Sequence, residues 1–384
     1  MNETWWIGEE QLDDDQRAIV AIEPKGNHII SGPPGSGKTN LLLLHAKAMI
    51  LSARPNVLAI VFIRTLQEFV SLGGLEYQLP AGTLTTLARW ATDFLYEHGV
   101  FIKPEGTFEE KRLQLIGAVE ELIREKKLSG QYECLFLDEA QDYLPQEIAV
   151  FRQLGKNTFA AFDSRQKIYR SRDCYKILSK GAVEHPLRRH YRLGRNICRL
   201  ADSIMANSDE GSLLGTSRYD EDARPSSVDA FRCKDLDEQA DRIAERLQVQ
   251  VKAYPDEMIG VICTQNETLD RIWDRLQRSS IASLSVKQSA GERTPFEHDK
   301  PICLCTVHSS KGLEFRALHI ADCDDLGTWP NHRNLTYTAV TRAKTSLSLY
   351  YSDGLQGYLR QALQELAPKP KPPKLADLFP KGKK

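Results

Sequence analysis

The chain has 384 residues, 41% hydrophobic and 27% charged, enough apolar material for two domains of ordinary size and too much for wholesale disorder. Its net charge of -1 provides no global basic field, so a nucleic-acid partner would have to be held by local patches. The eight cysteines form no C-x-x-C pair and have no histidine spacing suited to zinc, which excludes the common zinc modules.

Cys303 and Cys305, two apart on a predicted strand, read as small buried apolar residues in a reducing compartment. The N-terminal MNETWWIGEEQLDDD is acidic, unlike a secretory signal. The longest apolar stretch, 41–51, is interrupted by His45 and Lys47 and is too short to span a bilayer. These features predict a soluble, cytoplasmic protein with no membrane partner.

In chain order, nearly continuous apolar runs at 27–31, 57–62, 133–138 and 157–162 predict strands buried on both faces. Residues 108–127 carry Leu115, Val119 and Leu122 on one helical stripe, with Ile116 and Ile123 beside them. Residues 208–227 are polar and acidic and predict a long connecting loop. Further strands are expected at 258–263, 302–306, 317–321 and 346–351, with helices at 237–247 and 269–276. Strand–helix alternation in both halves predicts an α/β protein built from two parallel sheets. The tail, 368–384, holds six lysines among prolines and the apolar island Leu375–Phe379. It reads as a solubilising extension, a grip on nucleic acid or a docking peptide.

Gly32-Pro33-Pro34-Gly35-Ser36-Gly37-Lys38-Thr39 fits G-x-x-x-x-G-K-[ST] in full, between a predicted strand and the helix that begins at Asn40. Its glycines let backbone N–H groups turn onto phosphates. Lys38 supplies a point charge to the β- and γ-phosphates, and the Thr39 hydroxyl can bind Mg²⁺. ATP with Mg²⁺ is the expected ligand. A second carboxylate for the metal is expected at the end of an apolar strand. Leu137-Asp138-Glu139 provides it, with Asp138 for the metal and Glu139 to take a proton from the attacking water.

Leu137-Asp138-Glu139-Ala140-Gln141-Asp142, together with the phosphate loop, resembles the superfamily 1 helicases of the UvrD/Rep/PcrA group. Further signatures of that group follow in order from Leu12 to about Leu347. The resemblance implies two RecA-like domains with an ATP cleft between them. The first would be 1–184, with a small helical insertion near 87–132, and the second 185–367.

It also implies residue roles. Gln16 would read the adenine edge. Gln166, in Phe162-Asp163-Ser164-Arg165-Gln166, would sense the γ-phosphate. Tyr191 would stack on adenine, and Arg192 and Arg342 would be arginine fingers. Glu314 would contact the ribose. Phe62, Arg64, Tyr169 and His308 would face a single nucleic-acid strand.

Departures from the family pattern are Ser171 two residues after Tyr169, Thr85 at the motif Ib histidine, and Ile60-Val61-Phe62-Ile63-Arg64 at motif Ia. The segment between residues 187–192 and 306–315, which resemble the fourth and fifth motifs of the family, looks like the second domain itself, so the large accessory subdomain is expected to be missing. Two activities follow from the resemblance. One is an ATP-driven single-strand translocase or helicase, 3′→5′ on DNA. The other is a nucleic-acid-activated ATPase acting as a switch or subunit, with a nuclease as the kind of protein partner.

Overall fold

The computed structural model describes residues 8–62, 64–72, 79–168, 174–206, 211–288, 295–297, 299–328 and 331–366. The first half begins with α1 (Asp14–Val20), whose Asp13 and Gln16 form a reciprocal capping box. It continues through β1 (Asn27–Ser31), α2 (Lys38–Leu51), β2 (Val57–Val61), α3 (Arg64–Leu72) and β3 (Leu84–Thr86). Two helices follow, α4 (Leu87–Glu97) and α5 (Phe108–Lys126), then β4 (Cys134–Leu137), α6 (Pro145–Leu154), β5 (Thr158–Phe162) and β6 (Ala182–Pro186). These strands form one parallel sheet in the order β3-β2-β4-β5-β1-β6.

The second half holds α7 (Arg195–Ile204), β7 (Ser227–Arg232), α8 (Leu236–Ala253), β8 (Ile259–Cys263), α9 (Asn266–Leu276), β9 (Ser285–Gln288) and β10 (Ile302–Thr306). It ends with β11 (Phe315–Ile320), α10 (His332–Val340), β12 (Ala343–Tyr351) and α11 (Gly357–Leu366). Its sheet is also six-stranded and parallel, in the order β7-β12-β11-β8-β10-β9. The expected α/β class with two parallel sheets is the architecture found.

All eight predicted strands are present. The four that the sequence reading missed, β3, β6, β7 and β9, are the four sheet edges. An edge strand faces water along one side and tolerates polar residues. β6 and β7 are buried at none of their positions and β3 at one of three, while β9 is buried at three of four. They therefore lack the continuous apolar run that marks interior strands. β6 pairs with β1 from Ala182 to Pro186, so the first sheet continues two residues past 184. The loop expected at 208–227 is corrected as well. A single helical turn, Leu213–Thr216, starts at a Ser212 cap within it, and β7 begins at Ser227.

The insertion near 87–132 consists of α4 and α5. Thr107 and Glu110 cap α5 reciprocally, and its apolar stripe (Leu115, Ile116, Val119, Leu122, Ile123) is buried. It joins Trp90 and Phe94 of α4 over a cluster that includes Phe151 of α6. The two halves meet through apolar contacts. Phe69 stacks edge-to-face on Phe296 at 5.8 Å, and Gly312, at φ +73°, lies so close to Leu66 that a Cβ there would come within 2.5 Å. Among the described residues, no helix is long and apolar enough to cross a membrane.

Phe151 is fully buried against Trp90 and Tyr143, with ring centroids 5.1 and 5.5 Å away. Phe151→Ala is expected to destabilise the first half by about 3–5 kcal/mol. A urea titration followed by circular dichroism would show this as an earlier unfolding midpoint.

Candidate active site

The phosphate loop leaves β1 at the C-terminal end of its strand and turns into α2 through Gly37, whose φ is +88°. Gly35 is also left-handed, at φ +72°, and a Cβ there would come within 2.5 Å of Leu193 Cδ1. Only glycine meets both the conformation and the close approach. Gly32 is similarly confined, because a Cβ there would lie 2.8 Å from Leu187 Cβ. Lys38 Nζ donates to the carbonyls of Gly32 (2.8 Å) and Pro33 (3.0 Å) and lies 3.9 Å from Asp163 Oδ2. Burial depresses the Lys38 pKa, opposed by the carboxylates of Asp163, Glu139 and Asp138.

β4 delivers the facing carboxylates. The Thr39 hydroxyl reaches both oxygens of Asp138 at 3.1 Å, bringing the two expected metal-binding side chains together. Burial, followed by the adjacent Glu139 charge, pushes the Asp138 carboxyl up to about 7. A divalent cation would favour its ionised form. Burial also acts to raise Glu139, but Lys311, Arg342 and Lys38 together hold its carboxyl below the ordinary range. Glu139 takes a left-handed backbone conformation, φ +50°, that a non-glycine residue seldom adopts. Its carboxylate accepts from the Gln141 amide, whose oxygen in turn accepts from Asp163 N at 3.0 Å.

The residues present suit a nucleotide with a divalent cation. The Ser36 hydroxyl is buried in the loop with no hydrogen-bond partner among the described residues. A phosphate would satisfy it and would also answer the charge of Lys38.

The second half supplies the opposite wall. One cavity between the sheets is lined by Gly35, Gly37, Lys38, Thr39, Asp138, Glu139 and Gln166 on one side, and by Arg192, Gly312, Glu314 and Arg342 on the other. Arg342 Nη2 donates to Gln166 Oε1 at 2.7 Å, so the expected finger and the expected sensor are in contact across the cleft. Arg192 Nη1 pairs with Glu314 Oε2 at 2.8 Å. A nucleotide that uses Arg192 for phosphate and Glu314 for ribose must share or displace that pair. Burial raises the Glu314 pKa, and Arg192 and Lys344 overcome it, leaving the carboxyl below its usual range. Burial pushes Lys344, 4.0 Å from Glu314, down to about 8.

Gln16 is buried. Its Oε1 accepts from Asp13 N at 3.0 Å and its Nε2 donates to Ser36 O at 2.9 Å, bracing the phosphate loop and leaving one amide hydrogen for an adenine edge. The Tyr191 hydroxyl donates to Asp13, which ties the start of the second half to the same brace.

The expected nucleic-acid residues fare less well. Phe62 is corrected: it is 7% exposed, edge-to-face with Tyr143 and covered by the Arg112 guanidinium 5.0 Å from its centroid, so it belongs to the core. Arg64 begins α3 and is half-buried. His308 is half-buried, and burial, followed by the Lys311 charge, pushes it down to about 4, so it is neutral at physiological pH. Tyr169 and Ser171 lie outside the described residues. Thr85 is buried in the middle of β3.

The sequence reading also missed three site residues. Gln141, Asp142 and Lys311 are all buried, and all sit inside motifs that had been recognised. Asp142 and Lys311 form an ion pair that joins the two halves. Opposite charges with no assigned role in two cleft motifs were the available signal, but nothing in one sequence matches residues 169 positions apart.

Residues 301–350 match the family model of the UvrD-like helicase C-terminal domain. That span holds β10, Lys311, Glu314 and Arg342, which is most of the second wall of the cleft. No curated protein sequence matches the chain. Among solved structures, the C-terminal domain of a possible DNA helicase from Lactobacillus plantarum WCFS1 is similar at 17% identity and a TM-score of 0.34. That likeness covers 46% of this chain and 96% of the other. The PRRSV helicase is similar at 16% identity and a TM-score of 0.41 over 87% of this chain, which spans 54% of that protein.

Gly35→Ala introduces a methyl group into a left-handed position against Leu193. It is expected to weaken binding of a fluorescent ATP analogue by about tenfold or more. Gly26→Ala, also at positive φ but with open space around it, is expected to leave that affinity unchanged.

Proposed function

We propose that this chain, UvrD-like in its residues 301–350, is an ATP-hydrolysing motor that acts on a single nucleic-acid strand, with DNA the substrate and 3′→5′ the direction. The observation that supports this reading is the contact of Arg342 with Gln166 beside Glu139, with residues of both halves lining one cavity.

The residues divide the chemistry between them. The backbone of the loop at Gly32, Gly35, Ser36 and Gly37, with Lys38, holds the phosphates. Thr39 and Asp138 would hold Mg²⁺, which supplies charge neutralisation on the β- and γ-phosphate oxygens when bound. Glu139, kept ionised by its cationic neighbours, accepts a proton from water as the water oxygen bonds to the γ-phosphorus and the bond to the β-phosphate oxygen breaks. Arg192 and Arg342 answer the charge spread over the transferring group, and Gln166 reports its presence to the second half. Tyr191, Gln16 and Glu314 would hold the nucleoside end. Because the fingers stand on the other sheet, hydrolysis requires the cleft to be closed, and that requirement ties chemistry to motion. Arg64, His308 and Tyr169 would contact the strand.

A second reading is an ATPase subunit or switch that does not separate strands by itself and works beside a protein such as a nuclease. Two observations favour it. The insertion between β3 and β4 consists of two helices, and the elements between Arg192 and Thr306 are strands and helices of the second sheet itself.

ATPase rates with poly-deoxythymidine of increasing length separate the readings. A translocase gives stimulation that grows with length, and a switch gives stimulation that does not. Unwinding of 3′- against 5′-tailed duplexes checks the direction. Lys38→Ala is expected to abolish turnover, and Arg342→Ala to slow it about a thousandfold. Glu139→Gln is expected to trap bound ATP. A Glu139→Gln protein that turns over at the parent rate removes Glu139 as the base.

A further inference from the structure

The cleft contains one ion pair, Asp142 with Lys311, whose only part in the proposed chemistry is that Lys311 helps to keep Glu139 ionised. Lys311, on the loop after β10, and Asp142, on the turn after Glu139, form an ion pair in which both side chains are 0% exposed. Lys311 Nζ also donates to the carbonyl of Gln166 at 2.7 Å. One ammonium group of the second half therefore grips both the turn that carries the base and the turn that carries the sensor.

The pair is braced from the insertion. Arg112 of α5 donates to the Asp142 carbonyl at 3.1 Å and holds Glu147 of α6 through two bonds, at 2.9 and 2.5 Å. Glu147 in turn accepts from Leu144 N at 2.7 Å, fixing the start of α6. A continuous chain of buried contacts thus runs from the insertion helix through Asp142 to Lys311 and Gln166.

We infer that Asp142 and Lys311 form an inter-domain latch, braced by Arg112, that holds the cleft closed so that Arg342 stays in register with Gln166. These are positioning residues, and the inference rests on the ATP-hydrolysing reading above.

A buried ion pair suits this role better than an apolar contact. Desolvation offsets much of its attraction, and here one Asp142 oxygen is buried without a hydrogen-bond partner among the described residues. When the halves part, both charges regain water. The closed state is therefore specified in geometry without being made irreversible, as a cycling cleft requires.

The test uses the full chain with Glu120→Cys on α5 and Val249→Cys on α8, both exposed, labelled with a donor–acceptor dye pair. The eight native cysteines are buried. Asp142→Asn combined with Lys311→Met removes both charges at nearly constant volume and orphans neither. The latch predicts a longer and broader inter-label distance without nucleotide. It also predicts a kcat reduced by about tenfold or more with KM for ATP little changed, because the phosphate loop is untouched. An unchanged distance overturns the inference. So does a lengthened distance with kcat retained, or a loss confined to KM.

Should that variant fail to fold, Arg112→Gln with Glu147→Gln removes the brace and spares the latch. The same two readouts then apply, with smaller shifts expected, and no shift in either contradicts the inference. If the parent protein hydrolyses no ATP, the functional reading fails on its own, and the distance measurement alone decides the latch.

Discussion

Burying charge is the constraint on which this structure depends. The cleft removes Asp138, Glu139, Lys311 and Arg342 from water and leaves Lys38 and Glu314 only slightly exposed. Each would be costly alone, so each is answered by another charge, a donor or an acceptor. Asp138 has Thr39, Glu139 has the surrounding cations, Arg342 has Gln166 and Lys311 has Asp142. Three of those partnerships, all but Asp138 with Thr39, cross from one half to the other. The candidate site is therefore a property of the closed pair of sheets, and each half alone carries only part of it.

That constraint also accounts for the shapes around the site. Parallel strands end together, so β1 and β4 present the phosphate loop and the acidic pair at one edge. The glycines of the loop allow the backbone to approach the neighbouring half closely, as Gly35 does against Leu193. Gly312 performs the corresponding service on the other wall by admitting Leu66. The loop itself is braced from behind by Gln16, and Tyr191 joins that brace through Asp13. The phosphate loop is thereby linked to the entry into the second half.

Much of this was legible in the sequence, for identifiable reasons. Interior strands such as 57–61 and 302–306 are apolar at nearly every position, so burial on both faces writes itself into composition. The phosphate loop and LDEAQD are contiguous motifs with narrow chemical requirements. The four edge strands were illegible because one side of each faces water, and β6 reads Ala-Val-Glu-His-Pro. Phe62 misled because an aromatic at the end of a strand suits either a stacking platform or a core. Only the tertiary position of Tyr143 and Arg112 distinguishes the two. The Asp142–Lys311 pair was hidden by sequence distance, although each partner stood inside a recognised motif.

In the proposed function, chemistry depends on contact between the two halves, and the Gln166–Arg342 bond is its most direct expression. A double-mutant cycle on kcat, with Gln166→Ala, Arg342→Ala and both together, measures the coupling between them. The account predicts strong non-additivity, with the double variant no slower than the slower single one. Losses that multiply would show that the two residues act independently and that the contact across the cleft contributes nothing to hydrolysis.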